Sequence, residues 1–83
     1  MDQQNIRQYD VVRILAINRG FKENEYYPGT RSPAIGDLAT VIEIYKKPEL
    51  GYELESVNSK GETDWLVSMS PEDMEFEVID NLE

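Results

Sequence analysis

The chain has 83 residues with 17 acidic and 8 basic side chains, a formal net charge of −9, and it contains neither cysteine nor histidine. That length supports one domain, which hides only about 60–65% of its unfolded surface. The composition excludes disulfides, thiolate and imidazole metal ligands, a thiol nucleophile and any Ser-His-Asp arrangement. The charge is also unevenly spread. Through Lys47 seven bases face six acids, whereas from Pro48 onward Lys60 stands alone against eleven acids. Such a second half repels polyanions, so nucleic acid is disfavoured as a partner. The first residues, MDQQNIRQYD, hold no apolar signal core, and no apolar run approaches the roughly 20 residues of a membrane helix. These features lead us to expect a cytoplasmic protein of bacterial type with no membrane association.

In chain order, residues 1–8 are polar and are expected to fray, leaving residues 9–80 as a single domain. Residues 9–18 carry the β-branched Val11, Val12, Ile14 and Ile17 and predict a first strand. Residues 19–37 follow, with three glycines, two prolines and no sustained period, and read as a long ordered loop. The run 38–45 (LATVIEIY) predicts a second strand, and the alternation in 52–58 predicts a half-exposed third. Ser59-Lys60-Gly61 is a tight turn into a fourth strand at 62–69. Ser70-Pro71-Glu72-Asp73 suits one helical turn before a last strand at 74–80. Five short strands joined in this way predict an all-β chain, a small five-stranded SH3-like barrel with a long loop after strand 1. Its expected core is Val12, Ile14, Leu38, Val41, Ile44, Leu54, Leu66, Met74 and Val78.

Particular residues carry two resemblances. Asp10-Val11-Val12, the run Gly36-Asp37-Leu38-Ala39-Thr40-Val41-Ile42-Glu43, Tyr52-Glu53-Leu54-Glu55, Gly61 and Asp73-Met74 form a recurring pattern over about residues 9–79. The pattern resembles a family of small bacterial proteins of unknown function with SH3-like barrels. Ala39 stands where that family often has a second glycine, and the loop before Gly36 is longer here. The stretch Thr30-Arg31-Ser32-Pro33 leading to Gly36 and Val41 is similar to the SH3-like domain of the nitrile hydratase β subunit. Both resemblances imply the barrel and neither implies an activity.

Catalytic chemistry finds little support. Glu53 with Glu55, and Glu75 with Glu77, share strand faces, but period-two alternation places such pairs on solvated faces. No phosphate-cradling glycine loop or calcium frame occurs, so no enzyme activity, cofactor or metal is expected. Aromatic residues are the better lead. Tyr26 and Tyr27 in the long loop, Trp65 in strand 4 and Pro71 in the turn are the residue types that line polyproline-binding grooves. Alternatively, Trp65 packs over the barrel, the two tyrosines pin the loop, and Arg31 and Lys22 anchor it to acids of the second half.

The expected function is a non-catalytic protein-interaction or accessory module. Its partner would be basic and would meet an acidic face of Glu53, Glu55, Glu62, Asp64, Glu75 and Glu77, brought together by the hairpin and last strand, with Tyr26, Tyr27, Arg31 and Trp65 at its edge. A homodimer or small-molecule binding through the 19–37 loop (Phe21, Tyr26, Tyr27, Ile35) is the alternative.

Overall fold

A computed structural model describes residues 6–80. It contains β1 (Val11–Ile17), α1 (Glu23–Tyr26), β2 (Leu38–Tyr45), β3 (Gly51–Val57), β4 (Thr63–Met69) and β5 (Met74–Asp80). The five strands pair antiparallel in one sheet of order β4-β3-β2-β1-β5, so the chain is all-β with one short helix. Consecutive strands from β1 to β4 form a meander, and β5 returns to the free side of β1. The sheet order leaves β4 and β5 at its two edges.

Alternation decides what is buried. Tyr52, Leu54 and Ser56 point inward from β3, and Trp65, Val67 and Met69 do so from β4. Met74 and Phe76 of β5 join Val12, Ile14, Ala39 and Val41 in the same core cluster. One cluster therefore collects residues from both edge strands, which requires the sheet to curl around it. Tyr52 and Phe76 meet edge to face, with ring centroids 5.5 Å apart. Every buried side-chain nitrogen or oxygen among the described residues has a hydrogen-bond partner.

Register irregularities aim the remaining side chains. A shift between Val41 and Glu43 resets β2, so that Glu43 faces out and Ile44 packs half-buried against the core. A second shift, between Ile14 and Ala16, leaves Leu15 exposed on β1.

Several expectations change. Leu38 (47% exposed) and Val78 (38%) lie outside the core, because Leu38 is out of phase with Ala39 and Val41 and Val78 sits near the chain's last strand end. Leu66 is half-buried, out of phase with the inward Trp65 and Val67. The 19–37 loop carries a helical turn, α1, in which the Glu25 carboxylate accepts the Lys22 N–H at 2.8 Å. In the Ser70–Asp73 turn the cap is reversed: the Asp73 carboxylate accepts the Ser70 N–H at 3.0 Å. Of the expected frayed terminus, residues 1–5 lie outside the described residues. Ile6 packs against the core, and the Gln8 amide donates to the Ile42 carbonyl at 2.8 Å. Among the described residues no helix is long and apolar enough to cross a membrane.

Candidate functional site

The long loop is fastened to the sheet by a polar network around Asp37. The Trp65 indole N–H donates to Asp37 Oδ2 at 2.8 Å, and the Ala34 N–H donates to the same oxygen at 2.8 Å. Arg31 adds a two-pronged bond to Asp37, at 2.8 and 3.2 Å, and reaches Asp64 at 3.4 Å. The Thr30 and Arg31 N–H groups both donate to the Asp64 carbonyl. Burial alone would raise the Asp37 pKa, but the bonds from Arg31, Trp65 and Ala34 outweigh it and hold the carboxyl below its ordinary value. The same bond to Asp37 raises the Arg31 pKa.

This arrangement settles where three expected site residues stand. Trp65 is fully buried with its one donor engaged by Asp37, so it is no edge anchor and lines no peptide groove. Arg31 and Asp64 are loop fasteners. The loop's aromatics divide: Phe21 is buried under the Arg19 guanidinium, 4.0 Å from the ring centroid, and Tyr26 packs against the core. Tyr27 (74% exposed) and Ile35 (68%) face solvent.

The expected acidic residues do not form one group. β5 pairs with β1, so β1 and β2 stand between the β3 pair Glu53 and Glu55 and the β5 pair Glu75 and Glu77. Glu77 accepts from Arg13 at 3.1 Å. Glu62 belongs to the β3–β4 turn, where its side chain accepts from Asn58 at 3.1 Å. What the structure adds is Glu43, directly opposite Glu53 across the β2–β3 ladder. Like charges in that position repel. Neutral donors serve this group: Tyr45 O–H to Glu53 at 2.9 Å, Thr63 O–H to Glu55 at 2.6 Å, and the Gln8 amide to Glu43 at 3.4 Å. The bond to Glu53 raises the Tyr45 pKa.

Next to these carboxylates runs an apolar stripe that sequence reasoning missed. Arg13 pairs with Leu38 across β1–β2, and continuing the Thr40–Glu55 register places Val57 beside Leu38. The Ser56 hydroxyl donates to the Leu38 carbonyl at 2.7 Å, which binds the two strands there. Leu15 lies diagonal to Leu38, and Ile35 precedes Gly36, whose N–H donates to the Ile14 carbonyl. Val57 (52%), Leu38 and Leu15 (46%) thus stand exposed on the outer face of β3, β2 and β1, with Arg13, paired to Glu77, directly beside Leu38. Glu55 lies beside Val57 on the same face of β3, the Glu53–Glu43 pair lies beyond the Thr40–Glu55 pair, and Glu75 and Glu77 lie on β5. The signal was present in the sequence: Leu38 and Val57 are out of phase with the inward residues of their own strands.

Two recesses flank the β2–β3 hairpin. One, of about 330 Å³, lies between the hairpin tip, the end of β4 and Arg19 with Asp73. The other, of about 470 Å³, lies between the hairpin and residues 6–8.

Comparison with protein-family models, curated proteins and solved structures returned no match for this chain.

Proposed function

We propose that this chain is a non-catalytic interaction module whose sheet closes into an SH3-like barrel and whose outer face docks a basic protein partner. The strand order and the convergence of both edge strands on one core support the barrel. The observation that carries the docking reading is the set of exposed side chains Val57, Leu38 and Leu15 on the outer face, with Glu55 beside Val57 and the Glu53–Glu43 pair beyond it. Large apolar side chains in a row on a charged sheet face supply contact area, and the carboxylates around them supply a sign. A partner segment with apolar side chains and flanking Lys or Arg matches both. Charge steers such a segment in, and the stripe holds it. A cytoplasmic, accessory or regulatory role in a bacterial-type cell accords with this reading.

The test is capture from a lysate of the native host with the wild type and with a Leu38→Ser/Val57→Ser variant. Both side chains are about half exposed, so the variant keeps the fold. The wild type should retain a basic protein that the variant releases during washing. Retention of an acidic protein, or equal retention by the variant, contradicts the proposal.

Self-association is a second reading, favoured by the exposure of Tyr27 and Ile35 in the long loop. It predicts a dimer in sedimentation at tens of micromolar that Tyr27→Ser and Ile35→Ser dissolve, and a monomer at that concentration removes it.

A further inference from the structure

The larger recess has a composition at odds with the rest of the molecule. Its apolar walls are Ile6, Ile44, Leu50 and Tyr52 and its polar ones Arg7, Gln8 and Lys46; among the described residues no carboxylate lines it, and the Gln8 amide reaches Glu43 at 3.4 Å. The chain as a whole carries −9. Tyr52 is buried and Ile6 and Ile44 pack against the core, so these three form a fixed floor, while Leu50 (45% exposed) stands at the mouth. Lys46 makes no ion pair among the described residues. The wall formed by residues 6–8 is tied down as well. The Gln8 amide bonds to Ile42, the Tyr9 N–H donates to the Val41 carbonyl at 2.6 Å, and the Arg7 N–H donates to Asp10 at 2.9 Å. The recess is half open, with an apolar floor, a cation at the rim and a volume of about 470 Å³, so a small ligand would lie on the floor with part of its surface in solvent.

We propose that this recess binds a small amphipathic monocarboxylate, with its aromatic or branched aliphatic body on Ile6, Ile44, Leu50 and Tyr52 and its carboxylate at Lys46. The apolar floor selects the body, because burying it removes apolar surface from water. The cation selects the head group, because Lys46 makes no ion pair among the described residues and a charge-assisted contact to its ammonium is stronger than a neutral hydrogen bond. The field of the whole chain sets the number of charges. Lys46 neutralises one carboxylate, whereas a second carboxylate placed away from it would meet the net negative field of the chain, so a monoanion is favoured. This site is separate from the outer-face stripe and does not depend on the docking reading.

The experiment is an amide-shift titration of the isotopically labelled chain with 4-phenylbutyrate as the probe and 4-phenylbutyramide as its neutral isostere. Saturable shifts should centre on residues 6–8, 44, 46, 50 and 52, and the amide should bind roughly tenfold more weakly. Lys46→Gln should weaken the carboxylate to the level of the amide and leave the amide unchanged. Leu50→Ala should weaken both ligands, and Lys60→Gln, in the distant β3–β4 turn, neither. Unchanged spectral dispersion shows that each variant is folded. The proposal is overturned if the two ligands bind within twofold of each other, if Lys46→Gln has no effect, or if shifts are absent or centred elsewhere.

Discussion

At the scale of single residues, Asp37 is the side chain on which most depends. It is mostly buried, accepts four hydrogen bonds from three residues, and joins the loop to the one tryptophan of the chain. Hydrogen bonds to a charged group contribute about 1.5–3 kcal/mol, so Asp37→Asn should cost on the order of 1–2 kcal/mol in urea unfolding at neutral pH, with Arg31 partly rescued by water. The pH dependence follows from the direction of the shift. Because the folded pKa is below the ordinary 3.8, the carboxylate's contribution is complete above that value and is lost as pH falls through the folded one. The stability difference between wild type and Asp37→Asn should therefore be constant from pH 5 to 7 and shrink below about pH 4. A difference that grows on acidification contradicts this account. Trp65 offers an optical check. A fully buried indole should emit to the blue of a solvated one and resist acrylamide quenching until the chain unfolds. The burial of Trp65 was legible in the sequence, since Trp65, Val67 and Met69 share one phase of β4 and Asp64 and Ser68 the other. Its link to Asp37, 28 residues away, was not, because no local pattern encodes a bond between a loop and a distant strand.

At the scale of elements, the loop's seat on β4 is set by close backbone approach. A Cβ at Gly29 would meet the Asp64 carbonyl and the Trp65 Cα, with the Asp64 carbonyl carbon at 2.6 Å, and strand backbone cannot yield. Gly29→Ala should cost about 1–3 kcal/mol by overpacking and speed hydrogen exchange at the Thr30 and Arg31 amides, which donate to Asp64. Unaltered exchange there would place the loop's anchorage elsewhere. Val41, fully buried in β2, tests the core independently: truncation to Ala should cost about 1–3 kcal/mol, and unchanged melting would refute its place. The strands themselves were readable to within a residue or two, because β-branched runs and period-two alternation carry direct information. The core positions that depart from expectation, Leu38, Leu66 and Val78, are hydrophobic but lie against strand phase or near a strand end. The bulges at Leu15 and Ile42 leave no comparable mark, since they arise from pairing between strands.

At the scale of the whole molecule, the excess of acid is structured. The sheet order separates Glu53 and Glu55 from Glu75 and Glu77, and the register brings Glu43 to the first pair. The sequence showed that the second half is acidic but not which carboxylates would be neighbours, because that depends on strand order. The facing pair Glu43–Glu53 works against stability, whereas a cationic partner would turn the same repulsion into attraction. The outer-face proposal is tested most directly by association kinetics of the captured partner at two salt concentrations, for the wild type and for Glu53→Lys/Glu55→Lys. The reversal removes the bonds from Tyr45 and Thr63 but also the Glu43–Glu53 repulsion, so melting should shift by only a few degrees. The wild-type on-rate should fall steeply with salt, and the reversed variant should associate slowly at both concentrations while dissociating at a similar rate. An on-rate indifferent to salt and to the reversal would show that these carboxylates serve solubility and that docking lies elsewhere.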